Sequence, residues 1–187
     1  MASVSGDPTG APDGWAPVLD PPRAAVVVAV TGAIAEDVLP LGDLTAGLVA
    51  ADRRATADVV CRGTGVVAGQ ACAVETFAQI DPGVTVAWKR VDGSAVGPGD
   101  VVATVEGPLR SAVRIERTAL NFLGHLSGVA TLTRAYVEAV RAVNPVTRVI
   151  DTRKTTPGLR ALEKAAVRAG AEWVRAPALD LGLDLRR

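Results

Sequence analysis

The chain has 187 residues, 49% hydrophobic and 21% charged, with twenty basic residues against twenty acidic ones. That balance describes a globular chain with a real core, and it excludes a whole-chain attraction to nucleic acid or acidic membranes. Aromatics are 3%, too few for a base-stacking platform, so the core must be built from Val, Ala and Leu.

Residues 1–22 are rich in Gly, Pro, Ser and Asp and read as a flexible arm. From Arg23 to Val38 the apolar residues Val26, Val27, Val30, Ile34 and Val38 recur at helical spacing. The stretch AAVVVAV at 24–30 is too short to span a membrane, and the leader before it is acidic rather than basic, which speaks against a secretory signal. Residues 55–81 read as a strand, a glycine turn, a strand or turn, and then a helix ending before Pro82. Gly63-Thr64-Gly65 with Gly69 lacks P-loop spacing and is read as a turn. Cys61 and Cys72 are too few for a zinc site and read as reduced, small apolar residues of a cytoplasmic protein.

Two strand-like runs, VTVAWKRV and DVVATVEGP, flank turn signals at Asp92-Gly93 and Pro98-Gly99. This hairpin resembles those of biotinyl and lipoyl carrier domains. Lys89 lies within the strand instead of at the tip, so the hairpin reads as structural. Beyond Leu109, Ile115, Ala119, Phe122, Leu126, Val129, Thr133 and Tyr136 step by four and three along a long helix. Gly124 and Gly128 on it either permit a close backbone approach or divide it into two helices. His125, the only histidine, reads as packed or surface-exposed rather than catalytic.

TRVID at 147–151 is expected to be a short strand, followed by a helix from Pro157 to Ala169 with Thr156 as N-cap and Gly170 as the stop. Between them stands DTRKTTPG, with Arg153 and Lys154 at the end of the strand. In β/α folds ligands bind at that edge. Arg offers a planar fork for carboxylates and Lys a point charge for phosphates. By pattern alone the pair is equally a solvated turn or a site for a small polyanion. Arg117, in RIERTALNFL, reads by pattern as part of an exposed Glu/Arg face.

The segments EDVLPLGDLTA, DGSAVGPGDVVATVEGP, ERTALNFLGHLSGVATLT and DTRKTTPGLRALEKAAVRAG, in this order, resemble quinolinate phosphoribosyltransferase over about residues 23–170. The resemblance implies an α+β fold, with an N-terminal α/β sandwich domain over 23–110. A helical bridge and the first β-α unit of an incomplete α/β barrel would follow over 111–170. It implies that quinolinate and phosphoribosyl pyrophosphate are joined with Mg²⁺, releasing CO₂ and pyrophosphate and giving nicotinate mononucleotide for NAD synthesis. It also implies a homodimer, while the charge balance and cysteine usage point to a cytoplasmic protein with no nucleic acid or membrane as partner. By motif, Arg117 would enter the partner's active site, while Thr152, Arg153 and Lys154 would bind substrate, with Lys154 also acting catalytically. No metal ligand is identified by the resemblance.

After Gly170 the pattern departs from the family. Its Asn-His-Arg triplet would supply a His and an Arg, but Arg175 and Ala176, or Pro177 and Ala178, stand there. Ala165 replaces a customary aromatic. Residues 171–187 therefore read as an aberrant tail, and 36 residues beyond Asp151 suffice for one β-α unit of roughly 30 residues. The expectation is a truncated or frameshifted member, inactive alone. The alternative is a non-catalytic fragment that acts at most as a dimerisation module.

Overall fold

The computed structural model describes residues 20–38, 44–50 and 52–171. The expected arm and tail fall outside these except for Asp20 to Pro22 and Ala171, as do the candidate triplet positions Arg175 to Ala178. Ten elements follow in order. They are α1 (Arg23–Val38), α2 (Leu44–Gly47), β1 (Arg54–Val60), β2 (Gly65–Val66) and α3 (Gln70–Ile80). Then come β3 (Thr85–Trp88), β4 (Ala95–Val96), β5 (Val101–Pro108), α4 (Leu109–Val143) and α5 (Arg160–Gly170). The fold is α+β.

β5 is the central strand of an antiparallel sheet ordered β1-β5-β3, and β2 and β4 form a second, two-stranded pair. The register runs Arg54↔Pro108 to Val60↔Val101, with a bulge between Val59 and Val60. The expected hairpin is therefore β3 with β5, and the Lys89 N–H donates to the Val102 carbonyl at its end. Gly63 and Thr64 lie in a bend between β1 and β2, as the sequence suggests.

A carboxylate from the hairpin caps a helix elsewhere. Asp92 accepts the N–H groups of Gly69 and Gln70 at the start of α3, at 3.1 Å each. Those donors have no partner within the helix, and the positive end of its dipole favours an anion. Burial pushes the Asp92 carboxyl above its ordinary range and nearby Asp20 adds to this, while the two backbone donors pull it down. Both cysteines are free. Burial and the Asp92 charge push the Cys72 thiol up to about 12, so it is inert packing.

α4 is the spine. Ile115, Ala119 and Leu123 in its first half pack with Ala73 and Phe77 of α3 and with Val105 of the sheet. Phe122, Leu126 and Ala130 farther along join Val26 and Val30 of α1, Val66 of β2, and Leu162, Ala166 and Ala169 of α5. The expected helical face holds as far as Thr133 and fails at Tyr136, which is 51% exposed while Val137 is buried. A strict four-three pattern repeats every 3.5 residues, and an ideal helix drifts by about 60° against it over three heptads. That drift carries Tyr136 outward.

Gly124 and Gly128 neither break α4 nor meet another backbone among the described residues, since an added Cβ would touch none of them within 4 Å at either position. Gly170 is the opposite case. A Cβ there would overlap the Ala130 carbonyl, so a glycine lets α5 seat against α4. The Gly170 carbonyl accepts Arg134 Nε at 2.7 Å.

Two expectations about 144–159 fail. Residues 147–151 form no strand, because the described strands all lie between 54 and 108 and none stands beside this run to complete its hydrogen bonds. The last helix begins at Arg160, three residues later than expected, and Thr156 does not cap it. Gly158 has φ +83°, a left-handed value that no helix continues through.

Candidate functional site

The Thr152-Arg153-Lys154 segment is a tight turn. Thr152 Oγ1 accepts the Lys154 N–H at 2.8 Å, a side-chain turn that stands in for a strand pairing. Arg153 and Lys154 are exposed and Thr152 is half-buried. Two exposed cations thus sit side by side on a backbone fixed from behind, which suits an anionic ligand of several charges.

The backing comes from α5. Leu162, Ala165, Ala166 and Ala169 are buried, so one stripe of the helix enters the core. Ala165, the position where the resemblance implies an aromatic, lies within that stripe at 8% exposure. Arg160, Glu163 and Lys164 point back toward the turn. Lys164 Nζ donates to Asp151 Oδ1 at 2.8 Å, and Glu163 Oε2 accepts the Thr156 N–H at 3.0 Å. Burial raises the Glu163 carboxyl, but the bonds from Thr156 and His125 together outweigh it and hold the group below its usual range.

A cleft of about 350 Å³ lies beside the turn, lined by Asp37 of α1, by Arg117, Asn121 and His125 of α4, and by Leu159. Arg117 is exposed, with its Nη1 2.6 Å from Asp37 Oδ1. His125 Nε2 lies 3.0 Å from Glu163 Oε1. The structure brings Thr152, Arg153 and Lys154 onto one turn. It puts Arg117 in the neighbouring cleft, whose lining includes none of the three. His125 lines the cleft and is 43% exposed, as a surface residue would be.

Asp37, Glu163 and Lys164 are missed by sequence reasoning. Their partners lie elsewhere in the chain, 80 residues apart for Asp37 and Arg117 and 38 apart for His125 and Glu163. A faint signal exists for α5, since residues 160, 163 and 164 share one face of a helix that follows a polar turn.

Among the described residues no group of three or more His, Cys, Asp or Glu is placed to hold a metal ion. The carboxylates nearest the turn, Asp151 and Glu163, are engaged by Lys164 and by Thr156 and His125. Among the described residues the side chains do not form a Mg²⁺ cage. No described helix is long and apolar enough to cross a membrane.

The fold, an α+β domain joined by a long helix to a turn and a further helix, is similar to that of solved nicotinate-nucleotide pyrophosphorylases. The structure from Francisella tularensis superposes with a TM-score of 0.78 and 34% identity, covering 84% of this chain and 55% of that one. NadC from Streptococcus pyogenes gives a TM-score of 0.75 and 37% identity, covering 81% and 53%.

Residues 43–127 match the N-terminal domain of quinolinate phosphoribosyl transferase, and residues 129–180 match its C-terminal domain. The chain belongs to the quinolinate phosphoribosyltransferase family. Curated relatives named probable nicotinate-nucleotide pyrophosphorylase (carboxylating) agree. The one from Bacillus subtilis is 42% identical over 133 residues, 71% of this chain, and that from Synechocystis is 43% identical over 137 residues, 73% of it. The chain spans 45% of the length of each of these two relatives.

Proposed function

We propose that this chain carries part of the active site of a quinolinate phosphoribosyltransferase. It would work in the cytoplasm as a homodimer on quinolinate and phosphoribosyl pyrophosphate. The observation that carries this reading is the exposed Arg153-Lys154 pair on a turn fixed from behind by α5, in a chain of this family. The ring nitrogen of quinolinate attacks C1 of the phosphoribosyl group as the C–O bond to pyrophosphate breaks. The 2-carboxylate then leaves as CO₂, and its electron pair stays on the ring carbon until a proton takes it up.

Each stage places negative charge where Arg and Lys can meet it. Arg153 grips a carboxylate through its fork, Thr152 offers its hydroxyl, and Lys154 is the cation that attends developing charge. Donors fixed before the reaction need no reorganisation during it. Arg117, exposed in the cleft beside α1 with its Nη1 2.6 Å from Asp37 Oδ1, serves the partner's site. Any Mg²⁺ would have to be held with the phosphates of the second substrate, since among the described residues no side chains form a cage for it.

Calorimetric titration of the 187-residue chain tests the reading. Quinolinate is expected to bind saturably and more tightly than nicotinate, which lacks the second carboxylate. Arg153→Ala should weaken quinolinate by about tenfold or more, the value of one charge-assisted pair. Equal binding of both ligands, or of quinolinate to both chains, contradicts it.

A further inference from the structure

The stretch 151–156 belongs to no sheet, yet it is tied down along its length by one face of α5. Lys164 holds Asp151 at 2.8 Å. Arg160 reaches the Arg153 carbonyl through Nη2 at 3.2 Å and Thr155 Oγ1 through Nε at 3.3 Å. Glu163 takes the Thr156 N–H at 3.0 Å.

Glu163 differs from the other two in three ways. Its side chain is only 12% exposed. Its two oxygens serve different elements, Oε2 the turn and Oε1 His125 of α4. It also carries the wrong sign for its surroundings, because a carboxylate beside an anion site repels what the site is meant to bind. Charge alone therefore argues against an acid here, whereas mechanics argues for one. A carboxylate accepts two bonds in different directions, and both are strengthened by its charge.

We propose that Glu163 is a positioning residue. It bridges Thr156 to His125 and so holds the Thr152–Thr156 turn in the shape in which Arg153 and Lys154 grip a dicarboxylate. The inference rests on the anion-site reading above and adds a residue to it. Glu163 touches no substrate, and its effect passes through the backbone of the turn. Lys164 with Asp151 is the second anchor, at the other end of the turn.

The sign of one substitution separates this role from simple electrostatics and from simple stability. Glu163→Gln is isosteric and removes one negative charge. Electrostatics alone predicts tighter quinolinate binding, and a purely structural role predicts weakening only as the melting temperature falls. The positioning role predicts that calorimetry finds quinolinate bound about fivefold more weakly, one charge-assisted bond exchanged for a neutral one, out of proportion to the slight fall in melting temperature expected at neutral pH.

His125→Asn cuts the other end of the bridge and leaves the Glu163 charge in place. It should weaken binding in the same direction, and it provides the test if the Gln variant does not fold. A wild-type chain that binds no quinolinate refutes the functional reading, and the inference falls with it. A wild-type chain that binds, with either folded variant binding as tightly or more tightly, refutes the positioning role alone.

Discussion

The hairpin region at 54–108 and the connecting stretch at 144–159 are both made of extended runs and glycine turns, but they are held by different means. In the first, each strand finds a neighbour, so the backbone satisfies itself through the β1-β5-β3 ladder. In the second, no described strand lies alongside, and side chains of α5 take over the task from Asp151 to Thr156. A ladder is robust to most single changes because it does not depend on side-chain identity. A turn tied by three side chains depends on each of them, and on the helix that presents them.

The contrast sharpens if the helix itself is loosened. Leu162 is 1% exposed where α5 meets α1 and α4. Leu162→Ala should cost about 3 kcal/mol in denaturant unfolding. It should also free the 151–156 turn before the sheet melts, so that amide hydrogen exchange in β3 rises at higher denaturant than proteolysis near Arg153. A single coincident transition would show that the two regions stand or fall together.

In the hairpin region the nearest equivalent to a side-chain tie is Asp92. Asp92→Ala removes the acceptor of two N–H groups at the start of α3 and should cost about 1–2 kcal/mol, read as a lower denaturation midpoint. Quinolinate binding should remain as in wild type, since the cap lies outside the turn. Loss of binding at unchanged fold would erase the distinction drawn between the regions.

A smaller effect appears in acid. Ser111 Oγ–H at 2.5 Å and the Gly83 N–H hold the Asp81 carboxyl below its ordinary 3.8, against a weaker opposing push from burial, and Glu163 lies below its ordinary 4.5. Both acids are depressed in the folded state. The stability they contribute is full above those ordinary values and is lost as pH falls through the folded ones. Melting temperature should therefore decline below about pH 4.5. Glu163→Gln should make the decline shallower without abolishing it, because Asp81 remains. Parallel acid limbs for the two chains would remove Glu163 from this account.

The same contrast explains what could be read from the sequence. α1 was legible to its ends because Val26 and Val30 repeat at helical spacing, and the β3-β5 hairpin because turn residues mark it. These features rest on local pattern. The run Thr147–Asp151 has strand-like residues too, but a strand requires a neighbour, and local pattern does not supply one. The start of α5 was misplaced because Pro157 suits a first helical position, while Gly158 at φ +83° stops the helix from forming there. In the site, Arg153 and Lys154 stood out as adjacent cations. Glu163 did not, because its role depends on His125 across 38 residues of chain.

The most direct measurement is hydrogen–deuterium exchange along the 187-residue chain with and without quinolinate. Exchange should slow in 151–156 on addition of quinolinate, with β1, β3 and β5 unchanged. Protection confined to the sheet, or found nowhere, would contradict the placing of the anion site on the turn that α5 holds.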